Sequence, residues 1–171
     1  HDLVKWETWN KLKHYHVLDN TWLLTHAGLH SHFVPQNIKE LVTDRPKMFG
    51  ELSKYLDSEI IKGMRNQSWI FQAGLIRGGS QLYGGINWCD SREFIPFKGL
   101  NQIFGHTVFD KIRWKNIYGM QKDMRKDYKW APSSDELKNP DHSYNVCIDT
   151  GATHYVIWDG ENIKIGWVGD M

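Results

Sequence analysis

"NQIFGHTVFD", residues 101–110, is the stretch whose reading decides the fold. The apolar pair Ile103-Phe104 breaks at Gly105 and hands over to His106. This reads as a buried strand ending in a loop, with Gly105 letting the chain turn His106 inward. A histidine at such a place is often no more than a hydrogen-bonding loop residue. Its meaning depends on what else converges on the same point.

A second stretch has the same design. "NTWLLTHAGLH", residues 20–30, is an aromatic and β-branched run that ends at His26-Ala27-Gly28. Histidines at strand ends protrude from a rigid sheet edge, where loops form sites. Neutral imidazole is a common metal ligand at neutral pH. If the two strands are neighbours, His26 and His106 would reach one divalent ion. His30-x-His32 lies close by and reads as a polar loop at the mouth of the pocket. His14, His16, His142 and His154 read as surface or satisfied core residues.

Outward from these strands, Leu3, Trp6, Trp9 and Leu12 are spaced by threes, which predicts a short amphipathic helix over 2–16. Helical periodicity over 37–66 is interrupted at Pro46, which predicts two helices. "AGLIRGGSQLYGGINWCDSREF", 73–94, is a loop with two Gly-Gly pairs, able to bring backbone close to a ligand. Arg92 in it would suit a phosphate or carboxylate oxygen pair, or else pair with Glu93 or Asp90. Tyr83 and Trp88 are candidates for lining a groove. Residues 119–142 read as an exposed polar excursion. "YNVCIDTGATHYVIWDGENIKIGWV", 144–168, predicts successive strands with a hairpin turn at Asp159-Gly160. The order of elements predicts a mixed α/β (α+β) chain with a sheet-rich C-terminal half.

Bulk properties narrow the function classes. At 171 residues the chain fits one domain. Thirteen per cent aromatic residues, nine of them tryptophan among the residues that make up that share, argue against disorder. A net charge of +1 gives no electrostatic case for nucleic acid or an anionic membrane. No apolar run approaches the ~20 residues of a membrane helix, and the opening residues carry no secretory-signal pattern. Cys89 and Cys147 lack metal-type spacing and read as core thiols of a reducing, cytoplasmic compartment.

The motifs also have an order. "THAG", then "GGINWCDSREF", "QIFGHT" and "CIDTGA" resemble the C-terminal half of the calcineurin-like metallophosphatases. The nearest branch is the bacterial and phage phosphoprotein (serine/threonine) phosphatase type. The opening His1-Asp2 is similar to the second half of that family's Gly-Asn-His-Asp/Glu motif. The resemblance spans nearly all of residues 1–171. It implies the C-terminal part of a single catalytic domain, an incomplete four-layer α/β/β/α sandwich.

What it implies for chemistry is specific. In that family two divalent ions about 3.5–4 Å apart activate a hydroxide for in-line attack on phosphorus. Manganese is the ion expected first, with iron, zinc or magnesium as the others. His26 and His106 match two ligands of one metal. His1 matches the histidine that protonates the leaving-group oxygen, and Arg92 the arginine that holds phosphate oxygens. Asp2 matches an acidic position beside the catalytic histidine. Gly105 and Asp149 would serve structure. The substrate implied is a phosphorylated protein or a small phosphoester. Hydrolysis of dinucleoside polyphosphates, and a degenerate non-catalytic binding module, are the other readings. Val108 stands where many phosphodiesterases of the superfamily carry a second histidine, which favours the first two readings over that branch. The family's Asp-x-His and Gly-Asp-x-x-Asp motifs would lie before His1. Two imidazoles without carboxylates hold hard cations poorly, so the chain alone is expected to be inactive.

Overall fold

The computed structural model describes residues 13–108, 113–116, 121–123, 139–151, 153–160 and 163–168. His1, Asp2 and most of the helix expected over 2–16 lie outside the described residues. At its far end that expectation gives way to a strand, β1 (Tyr15–Leu18). Tyr15 and Val17 pack into the core between them while His16 is exposed, which is the two-residue period of a strand. The chain then reverses at Asp19 and Asn20, with φ of 51° and 48°. Those are residue types that tolerate the left-handed region. It returns as β2 (Trp22–Thr25), antiparallel to β1.

Two helices follow, α1 (Gln36–Lys39) and α2 (Arg45–Gly63), and they divide where Pro46 predicts. Pro46 occupies the first turn of α2, where a missing N–H costs nothing. The Asp44 side chain caps that turn by accepting from the Lys47 N–H at 3.2 Å. Met48, Phe49, Leu52 and Leu56 form the buried stripe of α2. They pack with Leu23, Leu29, Ile70, Ile86 and Leu100 in the main core.

The remaining strands are β3 (Asn101–Phe104), β4 (Arg113–Asn116), β5 (Gln121–Asp123), β6 (Tyr144–Cys147), β7 (His154–Trp158) and β8 (Ile163–Trp167). The first six strands in this numbering form one mixed sheet in the order β1-β2-β3-β6-β4-β5. At its centre β2, β3 and β6 run parallel, Leu24 opposite Ile103 and Ile103 opposite Val146. The edge strand β5 falls in the segment read as an excursion. Its sequence, Gln121-Lys122-Asp123, carries the charge that edge strands use against unwanted pairing. Side chains alternate across the sheet: Leu23 faces α2, whereas Trp22, Ile103 and Val146 form a second core on the opposite face. There Val156 and Trp158 of the β7–β8 hairpin cover them. The chain is thus of mixed α/β class. Among the described residues, no helix is long and apolar enough to cross a membrane.

Candidate functional site

Three parallel strands ending on one side leave their next residues on a common crest. This is the part of an open α/β sheet where ligands collect. His26 follows β2, Gly105 and His106 follow β3, and Asp149 follows β6 by one residue. Backbone bonds continue past the strands and fix that crest. The Gly105 N–H donates to the His26 carbonyl at 2.8 Å, and the Ile148 N–H to the Phe104 carbonyl at 2.8 Å.

Gly105 does not serve as the expected free turn. The left-handed residue is His106 itself, with φ of 70°. Gly105 is instead a matter of space: a Cβ there would stand 3.3 Å from Asp149 Cβ and 3.6 Å from the His26 carbonyl oxygen. A side chain at 105 would press on the Asp149 side chain and ask it to give by a few tenths of an ångström. A non-glycine residue held at positive φ costs about 1–2 kcal/mol and persists where its surroundings dictate it.

The two crest histidines face each other, His26 Nε2 to His106 Nδ1 at 3.1 Å. Trp88 stands edge-on to His106, ring centres 5.5 Å apart. These residues, with Asn87, His14 and His16, line a cavity of about 870 Å³. A neighbouring cavity of about 320 Å³ brings Asp149 to the same two histidines. The Asp149 carboxylate accepts from the Gly151 N–H at 3.3 Å, a bond that closes the loop after β6. Burial lowers the His106 pKa, the nearby Arg77 guanidinium acts the same way, and the Asp90 and Asp149 carboxylates act against them. Burial also lowers the pKa of His14, which packs on Phe71 at 4.6 Å.

The glycine-rich loop builds one wall. Asp90 is 1% exposed and takes two arginines. Arg92 donates from Nε to Oδ1 at 2.8 Å and from Nη2 to Oδ2 at 3.2 Å. Arg77 places its Nε 2.8 Å from Oδ2. Arg92, more than any other group, holds the Asp90 carboxyl below the usual range. Of the two pairings left open for Arg92, the one with Asp90 is therefore present. The buried Glu93 carboxylate accepts from the Gly84 and Asp90 N–H groups at 2.8 and 3.1 Å, pinning the loop onto itself. Thr107 ties this wall to the crest: its hydroxyl oxygen accepts from the Ser91 N–H at 3.1 Å and from Arg77 Nη2 at 3.3 Å.

Several expectations need correcting. His30 is no polar mouth residue. It is 2% exposed, stacked on Tyr83 at 3.9 Å, and accepts the His32 N–H on Nδ1. Tyr83 is engaged in that stack and does not line the cavity of His26 and His106. His14 and His16, read as bystanders, do line it. Arg77 went unassigned, although it is a cation within the same glycine-rich loop as Arg92, just before the first Gly-Gly pair. Cys89 and Cys147 are buried thiols of one small core with Ala27, Phe94 and Phe104, as expected.

The histidine pair can be tested against a shared metal ion. Nitrogens bound at about 2.0–2.1 Å to one ion stand about 3.0–3.4 Å apart, depending on the angle between them, and 3.1 Å falls in that range. His106 Nε2 is buried and has no protein hydrogen-bond partner among the described residues. In the hydrogen bond between His26 Nε2 and His106 Nδ1 one ring donates to the other, so an ion held between them would take the place of that bond. Geometry and softness suit one borderline ion. The number of donors is short: among the described residues no group of three His, Cys, Asp or Glu side chains converges. What stands on the crest is a pair of histidines. No protein-family model, characterised protein or solved structure matches this chain.

Proposed function

We propose that this chain is the C-terminal part of a metal-dependent phosphoesterase domain of the calcineurin-like kind, built as a four-layer α/β/β/α sandwich. It would hydrolyse phosphomonoesters, with phosphoserine and phosphothreonine in proteins as the substrate class. One observation carries this reading: His26 and His106 meet at 3.1 Å on the ends of adjacent parallel strands. That is support from placement, and the order of the sequence motifs agrees with it.

In this reading His26 and His106 hold one divalent ion, which needs further donors besides the two imidazoles. The chemistry such an ion supplies when bound is polarisation of a phosphoryl oxygen and a lowered pKa for water. The chain's own residues do the rest. The lowered pKa of His106 favours the neutral ring, the form that an ion takes up. Asp90 holds the arginine forks in place, so that guanidinium N–H groups meet phosphate oxygens with little reorganisation. Trp88, 44% exposed beside His106, gives the leaving group an apolar wall. His1 would donate the proton that an alkoxide leaving group needs. An exposed tryptophan also suits a nucleobase, which keeps dinucleoside polyphosphates as the second substrate class.

The test is a titration of the 171-residue chain with Co²⁺, a paramagnetic borderline ion that imidazoles hold without carboxylates, followed by NMR. Paramagnetic broadening should centre on the His26 and His106 rings and vanish in both His26→Ala and His106→Ala. Broadening that is diffuse, or that survives both substitutions, would remove the metal assignment and the reading with it.

A further inference from the structure

Two arginines flank the crest, and their bonding distinguishes them. Arg92 commits Nε and Nη2 to Asp90, two residues away in its own loop, and its side chain is 69% exposed. Arg77 is 31% exposed, and its guanidinium bridges two places. Nε holds Asp90, while Nη2 holds the hydroxyl of Thr107, the residue directly after His106. Its Nη1 donors are left over among the described residues.

We propose that Arg77, rather than Arg92, is the guanidinium that holds the substrate's phosphate oxygens next to His106, with Asp90 and Thr107 as its positioning residues. This rests on the phosphoester reading above and names the anion-binding group of that site. Three features carry it. The partial burial of Arg77 strengthens a charge-assisted hydrogen bond that the open position of Arg92 would leave screened. The bridge from Asp90 to Thr107 fixes the fork before any ligand arrives, so binding costs little side-chain order. The bond to Thr107 makes the arginine and His106 parts of one rigid turn, whereas Arg92 reaches that turn only through Asp90 and the loop.

The experiment is an inorganic phosphate titration of the full chain labelled with ¹⁵N-arginine. The side-chain Nε–Hε resonances are assigned through bonds to their backbone amides. In the unsubstituted protein the Arg77 resonance should shift with saturation while that of Arg92 stays nearly still. Phosphate affinity should fall about tenfold or more in Arg77→Gln and stay within about threefold in Arg92→Gln. Arg77→Lys should not restore it, because a single ammonium cannot span Asp90 and Thr107 while also meeting an anion. If the Arg92 resonance moves and that of Arg77 does not, or if Arg77→Gln binds as well as the parent, the assignment to Arg77 is overturned while the phosphoester reading stands. If the unsubstituted chain does not bind phosphate at all, both fall. The resonance shifts are read on the unsubstituted protein, so a variant that fails to fold does not remove the test.

Discussion

At the scale of single residues, His106 combines a cost with a task. Its φ of 70° belongs to glycine's territory, yet the ring at that position meets His26. Two substitutions separate the backbone from the ring. Both His106→Gly and His106→Ala abolish the pair, but only alanine keeps the strain. Chemical denaturation should find the glycine variant more stable than the alanine variant by about 1 kcal/mol. Equal stabilities would mean that the left-handed turn is relaxed rather than imposed. Asp90 offers a second test, through pH. Its folded pKa lies below the ordinary aspartate value, chiefly because of its hydrogen bonds to Arg92. Stability from that carboxylate is therefore present above the unfolded pKa and is lost as pH falls through the folded one. Asp90→Asn should cost about 1–3 kcal/mol at neutral pH. The gap to the parent should narrow below about pH 4, since the parent's carboxylate is then being protonated too. A gap that stays constant from pH 7 to pH 3 would count against the two-arginine anchor.

At the scale of elements, the difference between what the sequence told and what it hid follows from periodicity. The strands at 22–25 and 154–158 are dominated by apolar and aromatic residues, and that at 101–104 ends in Ile103-Phe104, which makes them readable. Helix α2 was readable because Pro46 and the apolar stripe from Met48 to Leu56 agree. Strand β1 was not, since Tyr15-His16-Val17 borrows its alternation from a short hairpin whose turn residues, Asp19 and Asn20, mimic a plain loop. Strand β5 is a polar edge, and β4, paired between β6 and β5, sets Trp114 among Arg113, Lys115 and Asn116, so neither carries an apolar run. At the site, the strand-end histidines were legible one by one. In the loop the Arg92–Asp90 pairing was legible as one of two options, but the share of Arg77 in it was not, because a glycine-rich loop has no period and its contacts depend on the whole fold. Glycines at two places illustrate the same contrast. Gly50 is exposed within α2, and a Cβ there meets nothing within 4 Å. Gly50→Ala should raise stability by about 0.5–1 kcal/mol through helix propensity alone. Gly85 lies where a Cβ would stand 2.2 Å from the Ile70 carbonyl oxygen. Gly85→Ala should therefore destabilise the fold and loosen the wall that carries Asp90. Thermal unfolding of the two variants checks both signs. A stabilised Gly85→Ala would show that the loop does not pack as described.

At the scale of the whole molecule, the site depends on a sheet that is covered on both faces. Helix α2 and its core cover the face of Leu23, and the β7–β8 hairpin covers the face of Trp22, Ile103 and Val146. The strands that carry His26 and His106 are the ones sealed in this way, so the 3.1 Å between the rings depends on both covers. Trp158 is the keystone of the second cover. Its ring meets that of Trp22 edge-on at 5.8 Å, and Trp22 is fully buried beneath it. Its indole N–H also points to Asp19 in the β1–β2 turn, at 3.5 Å, a distance too long to contribute much. The energy of this join is therefore apolar burial. Truncating a fully buried tryptophan costs about 3–5 kcal/mol, and a half-buried one should cost nearer 1–3 kcal/mol. For a chain of this size each kcal/mol lowers Tm by about 2–4 °C. Trp158→Ala should thus lower Tm by several degrees. It should do so in a single step seen together by far-UV circular dichroism and tryptophan fluorescence, because the hairpin and the central sheet share one core. Two separated transitions, or a loss of hairpin signal with the main transition unmoved, would show the hairpin to be a loosely attached flap. The crest histidines would then owe their spacing to the helical face alone.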